Sequence, residues 1–180
     1  MKKNKYGLSI LLSVILGLIV SGWVVYKSAS PLKDGLYLRY ETTLLGVQEN
    51  NIAIHEIRFR KKNKKYYQVK VQSSGFLDNE QTYTIDRYFN NENNMLLPGP
   101  TAAVLWIEPY LLWIGNNIAA GEVINHSNWK GYSVAVVQDP ALNNCYGFYD
   151  RKTGLQVGYM NCFTSQKILT ILKEKNIQIL

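Results

Sequence analysis

The side chains that carry most acid–base, metal and redox chemistry are sparse in this chain of 180 residues: two histidines, two cysteines and 13 carboxylates. His55 and His126 have no histidine or cysteine at the i+3 or i+4 spacing that builds a metal site on a helix or turn, so we expect no metal. His55 falls on an apolar face of a strand pattern and reads as a core histidine. Asp78, Glu80 and Asp86 are spaced so that their carboxylates share one face of a strand. General acid–base work would also require a paired base or nucleophile, and neither a nucleophile motif nor a glycine-rich phosphate loop accompanies them. They read as a solvated face, and we expect no enzyme and no cofactor.

Two clusters point to binding instead. Trp106, Ile107, Tyr110, Leu111, Leu112 and Trp113 supply a broad apolar surface with polar edges, suited either to a ligand wall or to core packing of a lid on a sheet. Arg58, Arg60, Lys61, Lys62, Lys64 and Lys65 gather six cations in eight residues around an expected hairpin tip. Such a tip either attracts anionic lipid or an acidic partner, or is a solvated end whose lysines discourage edge-to-edge pairing. Cys145 and Cys162 permit a disulfide in an oxidising compartment; they flank an expected hairpin, where a diagonal offset would work against bridge geometry.

The segment that must place these groups is the uncharged run Leu8 to Tyr26, preceded by Lys2, Lys3 and Lys5. Its 19 residues extend roughly 28 Å as a helix, enough to cross a bilayer. The lysine bias puts the N-terminus in the cytoplasm and residues 31–180 outside the cell membrane. A cleaved signal peptide is the alternative, but its apolar core would be shorter, and small-x-small sites are poor here: Lys27 stands three before a cut after Ala29, and Pro31 follows Ser30. The formal charge of +7 is mostly a consequence of this segment. With Lys2, Lys3, Lys5 and Lys27 set aside, 16 cations face 13 carboxylates, which is too small an excess to suggest nucleic acid. Residues 1–30 thus form the cytoplasmic tail and transmembrane signal-anchor, and residues 31–180 one exterior domain.

From Pro31 onward the pattern becomes period two, as in half-buried strands. Leu36, Leu38, Tyr40 and Thr42 alternate with Tyr37, Arg39 and Glu41, and this strand is expected to run on toward Val47. Ala53, His55, Ile57 and Phe59 alternate with Ile54, Glu56, Arg58 and Arg60. Tyr67, Val69 and Val71 follow in the same way up to Gly75, and Thr82 to Phe89 is expected to form the next strand. Leu96 to Gly121 has three prolines and no clean period; we expect one or two short helices forming a lid, the second opened by Pro109 and closed at Gly115 or Asn116. Trp129 to Val137 reads as one strand. Asn144 to Tyr149, the turn Asp150 to Gly154 and Leu155 to Cys162 form the clearest hairpin. Ser165 to Leu180 fits either a helix or a strand; we prefer a strand, the next neighbour in a meander.

The residues WKGYSVAVVQ and GFYDRKTGLQVGY, between Trp129 and Tyr159, resemble the late hairpin of lipoprotein-carrier domains of the LolA/LolB type. They are also similar to membrane-anchored β domains of archaea. The resemblance implies a half-barrel sheet with short helices over its concave face, enclosing an apolar groove for an acyl chain or apolar peptide. A retained membrane anchor departs from carriers that shuttle.

The expected fold is mainly β (α+β): an N-terminal transmembrane helix, then a large, curved, half-barrel-like antiparallel sheet of eight to ten strands with a short helical lid. The expected function is non-catalytic binding, by a membrane-anchored extracytoplasmic domain, of a lipid-like or apolar ligand or an envelope protein. The alternative is a structural accessory subunit of a membrane or cell-surface assembly. An empty apolar cavity beneath Trp106 to Trp113 would favour the first, and a packed core with an exposed apolar patch or an open sheet edge the second.

Overall fold

A computed structural model describes residues 31–47, 51–90, 104–139, 144–161 and 167–176. The apolar run at 8–26 and most of the first half of the expected lid, 96–103, lie outside the described residues, as does Cys162. Among the described residues no helix is long and apolar enough to cross a membrane.

The domain is one open antiparallel sheet of ten strands: β1 (Tyr37–Leu45), β2 (Ile52–Lys61), β3 (Tyr66–Gly75), β4 (Asn79–Asp86), β5 (Asn117–Ile118), β6 (Gly121–Trp129), β7 (Tyr132–Gln138), β8 (Cys145–Asp150), β9 (Gln156–Asn161) and β10 (Lys167–Lys175). Their spatial order is β4-β3-β2-β1-β10-β9-β8-β7-β6-β5, so β4 and β5 are the edges of the sheet among the described residues. Every neighbour is also a sequence neighbour except β1 and β10, whose pairing from Leu38–Lys175 to Leu45–Lys167 joins two meanders into one sheet.

Period-two patterning determines which side chains pack. In β1, Leu38, Tyr40 and Thr42 are buried while Tyr37, Arg39 and Glu41 are only half buried; in β2, Ala53, His55, Ile57 and Phe59 are buried. Leu38, Tyr40, Ile57 and Phe59 join Val69, Ile85, Leu172 and others in the larger core cluster. Ile107, Leu112, Val123, Ala135, Val137 and Tyr149 form a second. On the opposite side, Arg39 pairs with Glu174 at 2.9 Å and Lys70 with Glu80 at 2.9 Å, exposed contacts that register the strands but stabilise little.

A row of polar side chains crosses four strands inside this apolar face. The Ser73 hydroxyl meets His55 Nδ1 at 2.7 Å, His55 Nε2 meets Thr42 Oγ1 at 3.0 Å, and Thr42 Oγ1 meets Thr170 Oγ1 at 2.8 Å. All four residues are buried, and each hydroxyl can rotate to donate or accept, so a neutral imidazole has both nitrogens satisfied. His55 is thus a core histidine.

Four expectations need correction. The fourth strand runs over Asn79–Asp86, because the ladder from Tyr66–Asp86 to Ser73–Asn79 uses those residues. Asp86 Oδ1 then accepts the Tyr88 and Asn90 amides at 2.7 and 3.0 Å, turning the chain. Phe89, with φ of 63°, packs in the core edge-on to Phe59 at 5.8 Å instead of ending a strand. The stretch Trp129 to Val137 is two strands: Lys130 and Gly131, at φ of 50° and 85°, make the two-residue turn between β6 and β7. The described part of the lid contains one 3-10 turn, Pro109–Leu111, opened by its proline as expected but ended by Leu112, before Gly115. The first strand stops at Leu45, followed by Gly46 at φ of 92°.

The sheet, the hairpin β8–β9 and the C-terminal strand β10 agree with the expectations. Cys145 is buried and faces Asn161 across that hairpin, and its candidate disulfide partner Cys162 lies outside the described residues.

Burial without a carboxylate partner holds the His55 imidazole below its ordinary value of 6.5. The unfolded chain therefore takes up the proton first, so this residue's contribution is complete above about pH 6.5 and is lost as the pH falls below it. Thermal melts between pH 7.5 and 5 should show Tm falling on acidification, and His55→Gln should flatten that part of the profile.

Candidate apolar groove

Residues 104–116, which lead into β5, are anchored on the sheet largely by backbone contacts. Trp106 bridges to Leu155; the Ile107 amide donates to the Gly154 carbonyl at 2.9 Å, and the Gln156 amide donates to the Leu105 carbonyl at 3.0 Å. The Tyr149 hydroxyl donates to the Val104 carbonyl at 2.8 Å, and burial pushes that phenol well above its ordinary pKa, keeping it a donor. Segment 104–107 therefore lies against the β8–β9 turn like an added strand. That turn is built by Asp150: its Oδ2 accepts the Thr153 hydroxyl at 2.6 Å, and its carbonyl accepts the Gly154 amide at 2.7 Å.

Trp106 is fixed at both ends. Its Nε1 donates to the Thr153 carbonyl at 2.8 Å, and its ring stacks on Phe89 at 5.3 Å, which in turn meets Phe59. Beyond the 3-10 turn, His126 Nε2 donates to the Leu112 carbonyl at 2.7 Å, which sets its tautomer, and Asn116 Nδ2 donates to the Leu111 carbonyl at 3.0 Å. The Gly115 amide donates to the Val123 carbonyl and the Val123 amide to Asn116, so the lid ends as an edge strand on β6.

Between these anchors lies a groove of about 300 Å³, lined by Tyr88, Asn90, Trp106, Ile107, Glu108, Leu111, Ile118 and Ala119. Its volume is at the lower end of small-molecule sites, and the lining is mostly apolar with Asn90 and Glu108 as polar groups. A second depression of about 480 Å³ involves Tyr37, Arg39, Glu56 and Glu174, but these groups satisfy one another: the Tyr37 hydroxyl donates to Glu56 at 3.0 Å, and Arg39 pairs with Glu174. It reads as ordinary solvated sheet surface.

The structure divides the aromatic cluster of the sequence. Trp106, Ile107 and Leu111 line the groove, and Trp106 also belongs to the core. Tyr110 and Trp113, at 48% and 63% exposure, do not line it; Leu112 packs into the second core. Tyr88, Asn90, Glu108, Ile118 and Ala119 complete the walls, and none of them is among the sequence's candidate residues. The one signal for the first two was Asp86, whose carboxylate shapes the turn that carries them. The acidic trio does three separate jobs, since Asp78 is exposed at the β3–β4 turn and Glu80 pairs with Lys70. Lys61, Lys62, Lys64 and Lys65 are exposed at the β2–β3 tip, away from the groove lining. Among the described residues no three histidine, cysteine or carboxylate groups gather as a metal site.

No family model matches the chain, and no curated protein matches its sequence. Among solved structures it is similar to MucB, at TM-score 0.41 and 12% identity over 88% of this chain. The chain spans 58% of that protein's length. It is also similar to the LolA superfamily protein NE2245 from Nitrosomonas europaea, at TM-score 0.32 and 6% identity over 87% of this chain and 91% of the other. Likenesses at this level transfer no function to the chain.

Gly154 stands where the lid meets the hairpin: its φ is 72°, and a Cβ there would lie 1.8 Å from the Ile107 carbonyl oxygen. Gly154→Ala should cost at least about 2 kcal/mol in urea unfolding, since left-handed backbone alone costs roughly 1–2 kcal/mol for other residues. The same variant should loosen the lid, read as faster amide exchange at Ile107.

Proposed function

We propose that this chain is a non-catalytic, membrane-anchored extracytoplasmic binding domain whose groove accepts a slender apolar moiety such as an acyl chain. The observation that carries the reading is the groove itself: a space of about 300 Å³ beside Trp106, Ile107, Leu111 and Ile118, walled by a segment that backbone hydrogen bonds tie down at both ends. A pre-formed apolar space loses little ordering entropy on filling, which favours binding. The anchor is the uncharged run 8–26, which would keep the domain beside the bilayer from which such a ligand comes.

The alternative, a structural accessory subunit, is supported by Trp113 and Ile114, apolar side chains 63% and 58% exposed, and by β4 and β5, the edges of the sheet among the described residues. The two readings place the important residues differently. Native mass spectrometry of the detergent-extracted full chain should show copurifying lipid in the parent protein and lose it in Leu111→Asp, while Trp113→Asp keeps it. Loss of a copurifying protein in Trp113→Asp, with no lipid in the parent, would replace the first reading by the second. Thermal melts of both variants check that the fold persists.

A further inference from the structure

The cationic tip between β2 and β3 lies beside the first residues of the exterior domain. The Lys61 amide donates to Asp34 Oδ1 at 2.7 Å, the Gly35 amide to the Phe59 carbonyl at 3.0 Å, and the Phe59 amide to the Leu36 carbonyl at 2.9 Å. The tip is ordered by its own asparagine: Asn63 Oδ1 accepts the amides of Lys65 and Tyr66 at 2.8 and 3.0 Å, and the Tyr66 carbonyl accepts those of Lys62 and Asn63. Its cations form a preset array on exposed backbone.

These charges are unspent. Arg58 pairs with Glu56 at 2.6 Å, but among the described residues Arg60, Lys61, Lys62, Lys64 and Lys65 have no ion pair. Asp34, beside the tip, is engaged by the Lys61 backbone amide. Lys33 is exposed on the adjoining segment, and Tyr66, 42% exposed, adds an aromatic ring of the kind enriched at bilayer interfaces.

Chain length limits where this tip can be. Asp34 is eight residues after Tyr26, the end of the uncharged run, which allows at most roughly 28 Å of extended chain. We propose that the Lys61–Lys65 tip docks on the phosphate headgroups of anionic lipid in the membrane that holds the chain, so that the domain lies with this end of the sheet toward the bilayer. The inference rests on the membrane anchoring proposed above, not on the apolar ligand. It also orients the groove: Tyr88 and Asn90, part of its wall, follow Asp86, which pairs with Tyr66 at the base of the tip.

The full chain, reconstituted in vesicles of phosphatidylcholine alone or with about 30% phosphatidylglycerol, provides the test, with lysine acetylation read by mass spectrometry. Lys61, Lys62, Lys64 and Lys65 should be protected about fivefold in the anionic vesicles at about 0.05 M salt, and the protection should disappear at about 0.5 M, where screening is strong. Lys167, exposed at the far end of β10 opposite Leu45, should label equally in both. Equal labelling of the tip in both vesicles, or equal protection of Lys167, would overturn the proposal. Flotation separates it from the anchor: failure to float with phosphatidylcholine vesicles refutes the anchor, and flotation then with anionic vesicles alone, lost on changing the four lysines to glutamine, still supports the tip. Flotation with neither overturns both.

Discussion

The pairing of β1 with β10 is the constraint on which this domain depends. Each other ladder joins strands adjacent in sequence and only a few residues apart; this one joins residues 38–45 to 167–175 and so bears the loop-closure entropy of nearly the whole domain. Without it the chain would be two meanders, each with an apolar face and an extra open edge. With it, Leu172 and Thr170 from the C-terminal meander sit beside Tyr40 and Thr42 from the N-terminal one. The Tyr40 hydroxyl reaches further, donating to the Gln156 carbonyl in β9 at 2.7 Å.

That junction is also where the core is polar. The Ser73–His55–Thr42–Thr170 row passes through the β1–β10 seam, where an apolar set would pack with less demand on geometry. Hydrogen-bonding groups inside a low-dielectric core tolerate no slip: a shift of one residue between β1 and β10 would break the Thr42–Thr170 bond and leave a buried hydroxyl short of a partner, at a cost of about 1–3 kcal/mol. The row thus specifies register at the one junction that no local turn specifies. The lid depends on the seam at second hand, since its anchors, Gly154 and Leu155, lie on the hairpin that β10 pairs against.

Much of the sheet was legible because burial on one face imposes a period of two, and Leu36 to Thr42, Ala53 to Phe59 and Tyr67 to Val71 show it directly. The turn at Asp150 to Gly154 was equally plain, since an aspartate acceptor and a positive-φ glycine are local requirements. Trp129 to Val137 misled because apolar residues lie on both sides of Lys130-Gly131, and the turn adds only two residues. The lid misled for another reason. Pro109 does open a helical turn, but the chain beyond it finds its hydrogen-bond partners in β6 instead of in itself.

By itself the sequence determined much of the sheet through alternation, together with a run of 19 uncharged residues and the tip's six cations, because each follows from residues near one another in the chain. The tertiary structure alone decided which surfaces exist. Whether Trp106 packs or Trp113 is exposed depends on where the lid crosses the sheet, and the wall of Tyr88 and Asn90 meets Ile118 only through that crossing. The position of the lysine tip beside the domain's first residues likewise comes from a contact between Asp34 and Lys61, 27 residues apart. Such contacts depend on long-range pairing, whose register is set by burial summed over the whole sheet, and local patterning carries no trace of it.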